Sequence, residues 1–459
     1  MTLIVNITLG TLYGETSVSA QDKAQDTSGN QGIKELVKKS PELRDSWEEI
    51  ERLTRSGDLP GALVKANALV KKCPKSGPAY FKRAQIYTSM SMPDFGMKDI
   101  QKSMELGPVT GASYAIRSRL NYDLKNYKQA LSDIDIAIKL NPDKKNARAW
   151  RANVLNAMGR SKEAQTEADG AAHSDPKSYK LLINAARLHK KSNPQLAIEL
   201  LNKAIKIAPR NSEAWSKLAE MQFKVKDYRQ SELAFNKAIQ FDPQNAELYY
   251  GRARLKKATL MAQDAIKDCD RAILIDKTKA GYYRLRSESL AQIGKFEEAL
   301  SDAEKAIGID PKNLDNRSAR AEALLQIGKF NECIKECSLG LTQSPDSVPL
   351  LINRAEAYVK LKKKALALKD FQRADTATKL SYRNLVRKAT LEAELGFDEQ
   401  AIKTYTTAIA VAKSTAKSRA YIERAAIYDK LGKVDEAKAD RRQAQELSEG
   451  FMDDLLPTK

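Results

Sequence analysis

The stretch AGYYRLRSESLAQIGKFEEALSDAEKAIGIDP, Ala280 to Pro311, decides the reading of the whole chain. Divided at Gly294, its first half places Tyr283, Arg286, Ser287 and Leu290 at helical spacing. Its second half does the same with Phe296, Ala299, Ala303 and Ala306. The pattern predicts two amphipathic helices joined by a tight, glycine-containing turn, with Pro311 stopping the second. Neither helix can bury its apolar stripe alone. The next residues begin the same pattern again, so the unit must stack on copies of itself.

Twelve such units run from about Leu43 to Glu449. Their helix-ending slots are Pro74, Pro108, Pro142, Pro176, Pro209, Pro243, Lys277, Pro311, Pro345, Lys379, Lys413 and Glu449, in steps of 34 residues except 33 into Pro209 and 36 into Glu449. Proline suits a place just beyond a helix. Three further slots are small. One holds Ala62, Gly96, Ala130, Ala164, Ala197, Ser231, Ala265, Ala299, Cys333, Ala367, Ala401 and Ala437. Another holds Ala84, Ser118, Ala152, Ala185, Ala219, Ala253, Ser287, Ala321, Ala355, Ala389 and Ala425, with Ile50 as its large member. The slot of Ala306 is small everywhere except at Leu69. Small side chains at matched places let two helices approach closely, and larger neighbours such as Trp215, Tyr283, Phe235, Phe371 and Tyr405 then fill the space between units.

The period and the small–small–small–Pro signature, clearest at Ala280–Pro311 and Ser212–Pro243, resemble the tetratricopeptide repeat (TPR). The resemblance covers nearly nine-tenths of the chain. It implies an all-α solenoid, a right-handed superhelix of about twelve helix-turn-helix units. First helices would line a concave groove and second helices would form the outer surface. Departures are the absent proline in four units, a weak first unit, and the lengthening before Tyr421.

A charge pair is written into the repeat. One first-helix slot holds Arg83, Arg117, Arg151, Arg252, Arg286, Arg320, Arg354 and Arg424. A second-helix slot holds Asp99, Asp133, Glu167, Asp268, Asp302, Glu336, Asp370 and Asp440 in the same units. Asn184 goes with Leu200 and Leu218 with Ala234. The signs reverse at Glu49 and Lys65, and Lys388 with Thr404 breaks the pattern. The covariation predicts an ion pair between the helices of each unit, with pairing to the preceding unit fitting worse. Exposed pairs of this kind contribute about 0–1 kcal/mol, so their role would be to fix register.

The net charge of +19 invites an anionic partner. Four cysteines and two histidines are too few and too scattered for a disulfide framework or a zinc cluster. Cys333, Cys337 and Cys269 occupy core slots and read as buried structural thiols. His173 and His189 read as ordinary surface or groove histidines. No catalytic constellation, metal set, phosphate-cradling loop or cofactor motif is present, which predicts a chain that is not an enzyme. Gly57, Gly159, Gly294, Gly328, Gly396 and Gly432 recur in one turn and read as geometric.

The TPR resemblance places ligands on the first helices, in the slots of Gly281, Arg284, Glu288 and Ala291. One slot reads Glu220, Arg254, Glu288, Glu322 and Glu356, mainly acidic, which argues against nucleic acid. Phe81, Tyr179, Leu182, Tyr250, Ile352 and Val386 are candidate apolar anchors. The basic runs Lys362-Lys363-Lys364 and Arg441-Arg442 read as solvating. A clamp for the C-terminal carboxylates of a chaperone finds only a partial match. Asn353 and Arg387 fit and Arg383 could replace a lysine, but Ser318 and Glu322 stand where Lys and Asn are wanted.

These readings converge on a non-enzymatic scaffold or adaptor binding a protein or peptide partner in its groove. The competing classes are a basic-surface binder of nucleic acid or another polyanion, and a co-chaperone with a degenerate clamp. Residues 1–20 carry a mildly apolar run from Leu3 to Tyr13 before Val18-Ser19-Ala20. This has the shape of a signal peptide but lacks a basic start. Export and a cytoplasmic location both stay open. Residues 21–42 read as a polar linker and lead-in, 43–449 as the solenoid and 450–459 as a tail. No run of about 18 apolar residues predicts a membrane span. Oligomeric state is not readable.

Overall fold

A computed structural model describes residues 41–142, 145–376, 380–412 and 417–455. The expected signal segment, the linker before residue 41, the slots Lys379 and Lys413 and the last four residues lie outside the described residues. The described residues form twenty-four helices in chain order, from Pro41–Arg55 to Val434–Leu455, and no strands. Within the two bodies they make eleven antiparallel pairs, five in the N-terminal body and six in the C-terminal body. The final helix runs on past the slot at Glu449 to Leu455. The chain divides into two compact bodies, Met1–Lys226 and Asp227–Lys459.

Local chemistry sets the boundaries of each pair. In the opening stretch, Ala280–Gln292 is followed by Phe296–Ile309. Gly294 joins them at φ 79°, a left-handed conformation that glycine adopts without steric cost. Glycine or a non-glycine residue at positive φ occupies this turn in every repeat except the fifth. The fifth repeat is the one with the 33-residue step. Its first helix, Tyr179–His189, has 11 residues where Ala280–Gln292 has 13, and Asn193 caps the next helix by accepting the Leu196 N–H at 3.1 Å. The proline slot works with a cap two residues later. Ser76, Asn211, Asn245 and Asn313 follow Pro74, Pro209, Pro243 and Pro311, and each accepts a backbone N–H of the next first helix.

The small slots lie in the core. In the N-terminal body Ala62, Ala84, Ser118, Ala130, Ala152, Ala164, Ala185, Ala197 and Ala219 are fully buried. In the C-terminal body so are Ser231, Ala253, Ala265, Ala299, Ala321, Cys333, Ala355, Ala367, Ala389 and Ala401. Serine is tolerated in the first-helix slot because its hydroxyl finds a carbonyl across the seam. Ser118 Oγ donates to the Ala130 carbonyl and Ser287 Oγ to the Ala299 carbonyl, both at 2.7 Å. The approach is close enough that a Cβ on Gly251 would stand 2.6 Å from the Phe235 ring. Phe235, Phe371 and Tyr405 are buried as expected. Trp215 is only half-buried, its indole donating to the Pro209 carbonyl. Tyr283 also departs from expectation. The buried ring is its neighbour Tyr282, donating at 2.7 Å to Glu247, while Tyr283 lies against the Arg286 guanidinium one turn on.

Candidate partner-binding face

Eight first helices are held by an arginine. Arg83 meets Asp99 through two hydrogen bonds of 2.6 and 2.8 Å. Arg252 with Asp268, Arg286 with Asp302, Arg354 with Asp370 and Arg424 with Asp440 form the same fork between 2.6 and 2.8 Å. Arg117 binds Asp133 at 2.5 and 3.0 Å, with Asn121 also donating to that carboxylate. Arg151 reaches Glu167 at 2.8 Å, and Arg320 pairs with Glu336. The first repeat makes no such pair. Glu49 is taken by Arg52 on its own helix.

Two features of these pairs depart from the sequence reading. The carboxylates are buried: Asp99, Asp133, Asp268, Asp302, Asp370, Asp440 and Glu336 are at most 6% exposed. Removing one partner of a fully buried pair costs about 3–5 kcal/mol, against about 0–1 for an exposed one. In addition, the arginine does not serve its own repeat alone. Its remaining nitrogen reaches the second helix of the preceding repeat. Arg83 contacts Asn67, Arg252 contacts Asn236, Arg286 contacts Asp270, Arg354 contacts Ser338 and Arg424 contacts Thr406, at 2.6–3.0 Å. Arg151 reaches back to Asp135 at 2.6 Å, and Arg320 to Glu304 at 3.2 Å. Pairing with the preceding repeat, which charge alone disfavoured, occurs because neutral Asn, Ser and Thr accept the bond as well as a carboxylate does.

The first-helix face differs from the acidic strip expected from the glutamate slot. Glu220 lies 3.2 Å from Lys190 and 3.6 Å from Lys217. Glu288 is held by Lys257 and by Arg284 at 2.7 Å. Glu322 pairs with Arg383, and Glu356 with Arg387. The strip is neutralised by cations of the same face, mostly from a neighbouring repeat. Burial pushes the Glu288 carboxyl up, but Lys257 and Arg284 outweigh it and hold the group below the usual carboxylate range. Tyr250 packs beside Tyr282 with ring centroids 5.1 Å apart, and burial raises its phenol. Tyr179 is half-buried with the Lys180 ammonium 5.9 Å from its ring, and Arg254 is exposed.

Several expected anchors are core side chains instead. Phe81 and Ile352 are fully buried, and Leu182 and Val386 are 5% exposed. Successive first helices pack closely enough that this stripe faces a neighbouring helix. Asn353, 1% exposed, donates to the Ser318 carbonyl at 3.2 Å and accepts from Arg387 at 2.9 Å.

Five expected residues do share one place. Glu322, Glu356, Arg383, Val386 and Arg387 line a 400 Å³ cavity in the C-terminal body, with Gln326, Tyr382, Thr390, Glu394 and Arg419. Its walls come from four successive first helices. The cavity covers the window where a carboxylate clamp was sought, and its arginines are already engaged by glutamates of the chain. The larger cavity, in the N-terminal body, escaped the sequence reading. Its one sequence signal is alanine at 115 and 149, where other repeats carry Phe81, Ile183 or Tyr250.

Cys269, Cys333 and Cys337 are fully buried, with the last two sulfurs 3.9 Å apart. Burial raises the Cys269 thiol. His189, read as a surface or groove residue, is 7% exposed and 3.0 Å from both Asp169 oxygens. The exposed His173 contacts the Asp169 carbonyl. Among the described residues no three His, Cys, Asp or Glu side chains gather around a metal-sized space, and no helix is long and apolar enough to cross a membrane.

Comparison with known proteins places three family models on the chain: the Psidin N-terminal TPR repeats region at residues 121–250, and tetratricopeptide repeats at 290–349 and 418–451. The chain is similar to the Hsp70-Hsp90 organizing protein of Triticum aestivum, 24% identical over 151 residues, 31% of this chain and 26% of that protein. It is also similar to Hsp70-Hsp90 organizing protein 1 of Glycine max, 28% identical over 104 residues, 22% of this chain and 18% of that protein. The chain thus matches about a quarter or less of the length of these relatives. Among solved structures, a tetratricopeptide repeat protein from Parabacteroides merdae aligns at TM-score 0.47 and 16% identity over 58% of this chain and 98% of that one. Yeast Tom70 aligns at TM-score 0.43 and 16% identity over 87% and 96%. Helix pairs of one period, their buried small-residue seams and the three matched repeat models make this chain a member of the tetratricopeptide-repeat proteins.

Proposed function

We propose that this chain is a non-enzymatic adaptor that holds segments of protein partners on the first-helix face. The observation that carries the reading is the cavity at Glu322, Glu356, Arg383 and Arg387. It is open to solvent and built from successive repeats, and its charged groups alternate in sign, so it can meet the polar backbone and mixed side chains of a peptide. TPR scaffold families are generally non-enzymatic.

The relatives' names point to chaperones, which brings a terminal-carboxylate clamp into question. The geometry favours it less. Arg383 and Arg387 are engaged by Glu322 and Glu356, and Asn353 is spent on Ser318 and Arg387. A tail carboxylate would have to displace a resident glutamate from each arginine. A nucleic-acid partner is disfavoured by the same neutralised face.

Selection of peptides from a random displayed library against the full chain, followed by photocrosslinking, tests the proposal. Crosslinks on first helices, with binding weakened about tenfold by Arg383→Glu with Arg387→Glu, are the expected result. Crosslinks confined to second helices, or no selected peptide at all, would overturn it.

A further inference from the structure

The N-terminal body contains a 790 Å³ cavity on its first-helix face, walled by the helices Gly111–Asp123 and Lys145–Ala157 and by the end of Tyr127–Leu140. Two substitutions in the repeat create the space. The slot that holds Phe81 and Ile183 in flanking repeats is reduced to Ala115 and Ala149. Ile116, Ile134 and Trp150 supply apolar walls, and Leu140, 56% exposed, stands at the edge. The volume suits a bulky side chain together with the peptide that carries it.

The described polar groups of the lining are a guanidinium, carboxamides and the hydroxyls of Thr88 and Thr110. Among the described residues no carboxylate lines the cavity, whereas the C-terminal cavity has three. Arg119 is its charged member, its guanidinium 4.4 Å from the centroid of the Trp150 ring. Asn141, Asn146 and Asn153 are beside it, and Arg187 donates to Asn153 from the next repeat. Asp123 pairs with the Arg119 Nε at 3.9 Å from the end of the same helix. An apolar floor beneath guanidinium and carboxamide donors complements an apolar side chain flanked by carboxylates. Carboxamides also suit the amides of a peptide backbone, which present donor and acceptor together.

We propose that this cavity takes a bulky aliphatic or aromatic side chain from an internal, acidic segment of a protein partner. Arg119 meets a flanking Asp or Glu, and Asn146 and Asn153 hold the backbone. The proposal rests on the adaptor reading and names the ligand class for this part of the face. It differs from a tail clamp in that a terminal carboxylate is not needed.

The test is fluorescence anisotropy with the full chain and end-blocked octapeptides. The peptides carry Leu, Phe or Ser at the centre and Glu, Gln or Lys on the flanks. Expected is binding in the order Glu over Gln over Lys flanks, at least tenfold weaker with central Ser, and no gain when the blocked C-terminus is freed. Ala115→Phe, which fills the cavity, should weaken binding tenfold or more. Asn146→Asp changes an exposed side chain and leaves folding intact. It should weaken Glu-flanked peptides and spare Gln-flanked ones. Equal binding of Leu and Ser peptides, preference for Lys flanks, or indifference to both variants would overturn the proposal. If library-selected peptides crosslink elsewhere on the first helices while these octapeptides fail, the cavity assignment falls and the adaptor reading stands. If neither set binds, both fall.

Discussion

Arg286 and Asp302 face each other through two parallel hydrogen bonds, 2.6 and 2.8 Å long, across the seam of one helix pair. The same guanidinium also reaches Asp270, 2.6 Å away on the helix before. The two carboxylates differ in burial: the Asp302 side chain is 4% exposed and that of Asp270 is 53% exposed. Asp302→Asn should therefore cost about 2–4 kcal/mol and Asp270→Asn less than about 1 kcal/mol. Urea unfolding, with hydrogen exchange of the helix Ala280–Gln292, measures both. Equal losses would show that burial does not rank these bonds.

The eleventh repeat solves the same problem with different residues. Lys388 replaces the arginine and is 1% exposed. Its ammonium lies 2.6 Å from Asp375 on the preceding helix and 3.1 Å from Glu392 on its own. Thr404, in the slot of the missing acid, donates to Glu392 at 2.7 Å. Lys388→Met should cost about 3–5 kcal/mol, because it leaves Glu392 buried without its cation. Lys388→Met with Glu392→Met should recover most of that loss. A thermal denaturation series of the two variants decides, and a double variant no better than the single would refute the argument.

Leu260 occupies the turn position that holds Gly294 one repeat later. It sits at φ 64° and is 84% exposed. A left-handed leucine costs about 1–2 kcal/mol, partly offset by the extra freedom that a glycine gives the unfolded chain, about 0.4–1 kcal/mol. Leu260→Gly should accordingly raise the denaturation midpoint slightly and Leu260→Ala should not. A lower midpoint for the glycine variant would mean that the leucine makes a stabilising contact.

Glu288 predicts a pH dependence. Its folded carboxyl is held below its ordinary value of 4.5. Its contribution is therefore present above that value and is lost as pH falls through the lower, folded one. Glu288→Gln should be less stable than the native chain at neutral pH, and the two stabilities should converge on acidification below about pH 4. Denaturation midpoints at pH 7 and pH 3 test the sign. A gap that widens in acid would contradict it.

The repeat was legible because its signals are redundant. A small residue at Ala299 means little, but the same slot filled by small residues along the chain leaves one packing solution. The arginine–acid pairs were legible for the same reason. Asp302 and Arg286 vary together across repeats, whereas the backward partner is Asn67 in one repeat, Asp270 in another and Thr406 in a third. A slot defined by reach rather than by charge leaves no covariation. The first-helix face was less legible, because slot position alone does not say whether a side chain faces solvent or the next helix. Phe81 and Ile352 turned inward on that account. The N-terminal cavity is made by what Ala115 and Ala149 lack, and a missing side chain is a faint signal beside the many alanines that serve packing.

The backward reach of each arginine gives the array a direction. Trimming repeats from the C-terminal side leaves every surviving guanidinium with both of its partners. Trimming from the N-terminal side leaves the arginine of the new first repeat with an unanswered nitrogen. Fragments of equal length cut from opposite ends of one body should therefore differ in how firmly their cut edge holds.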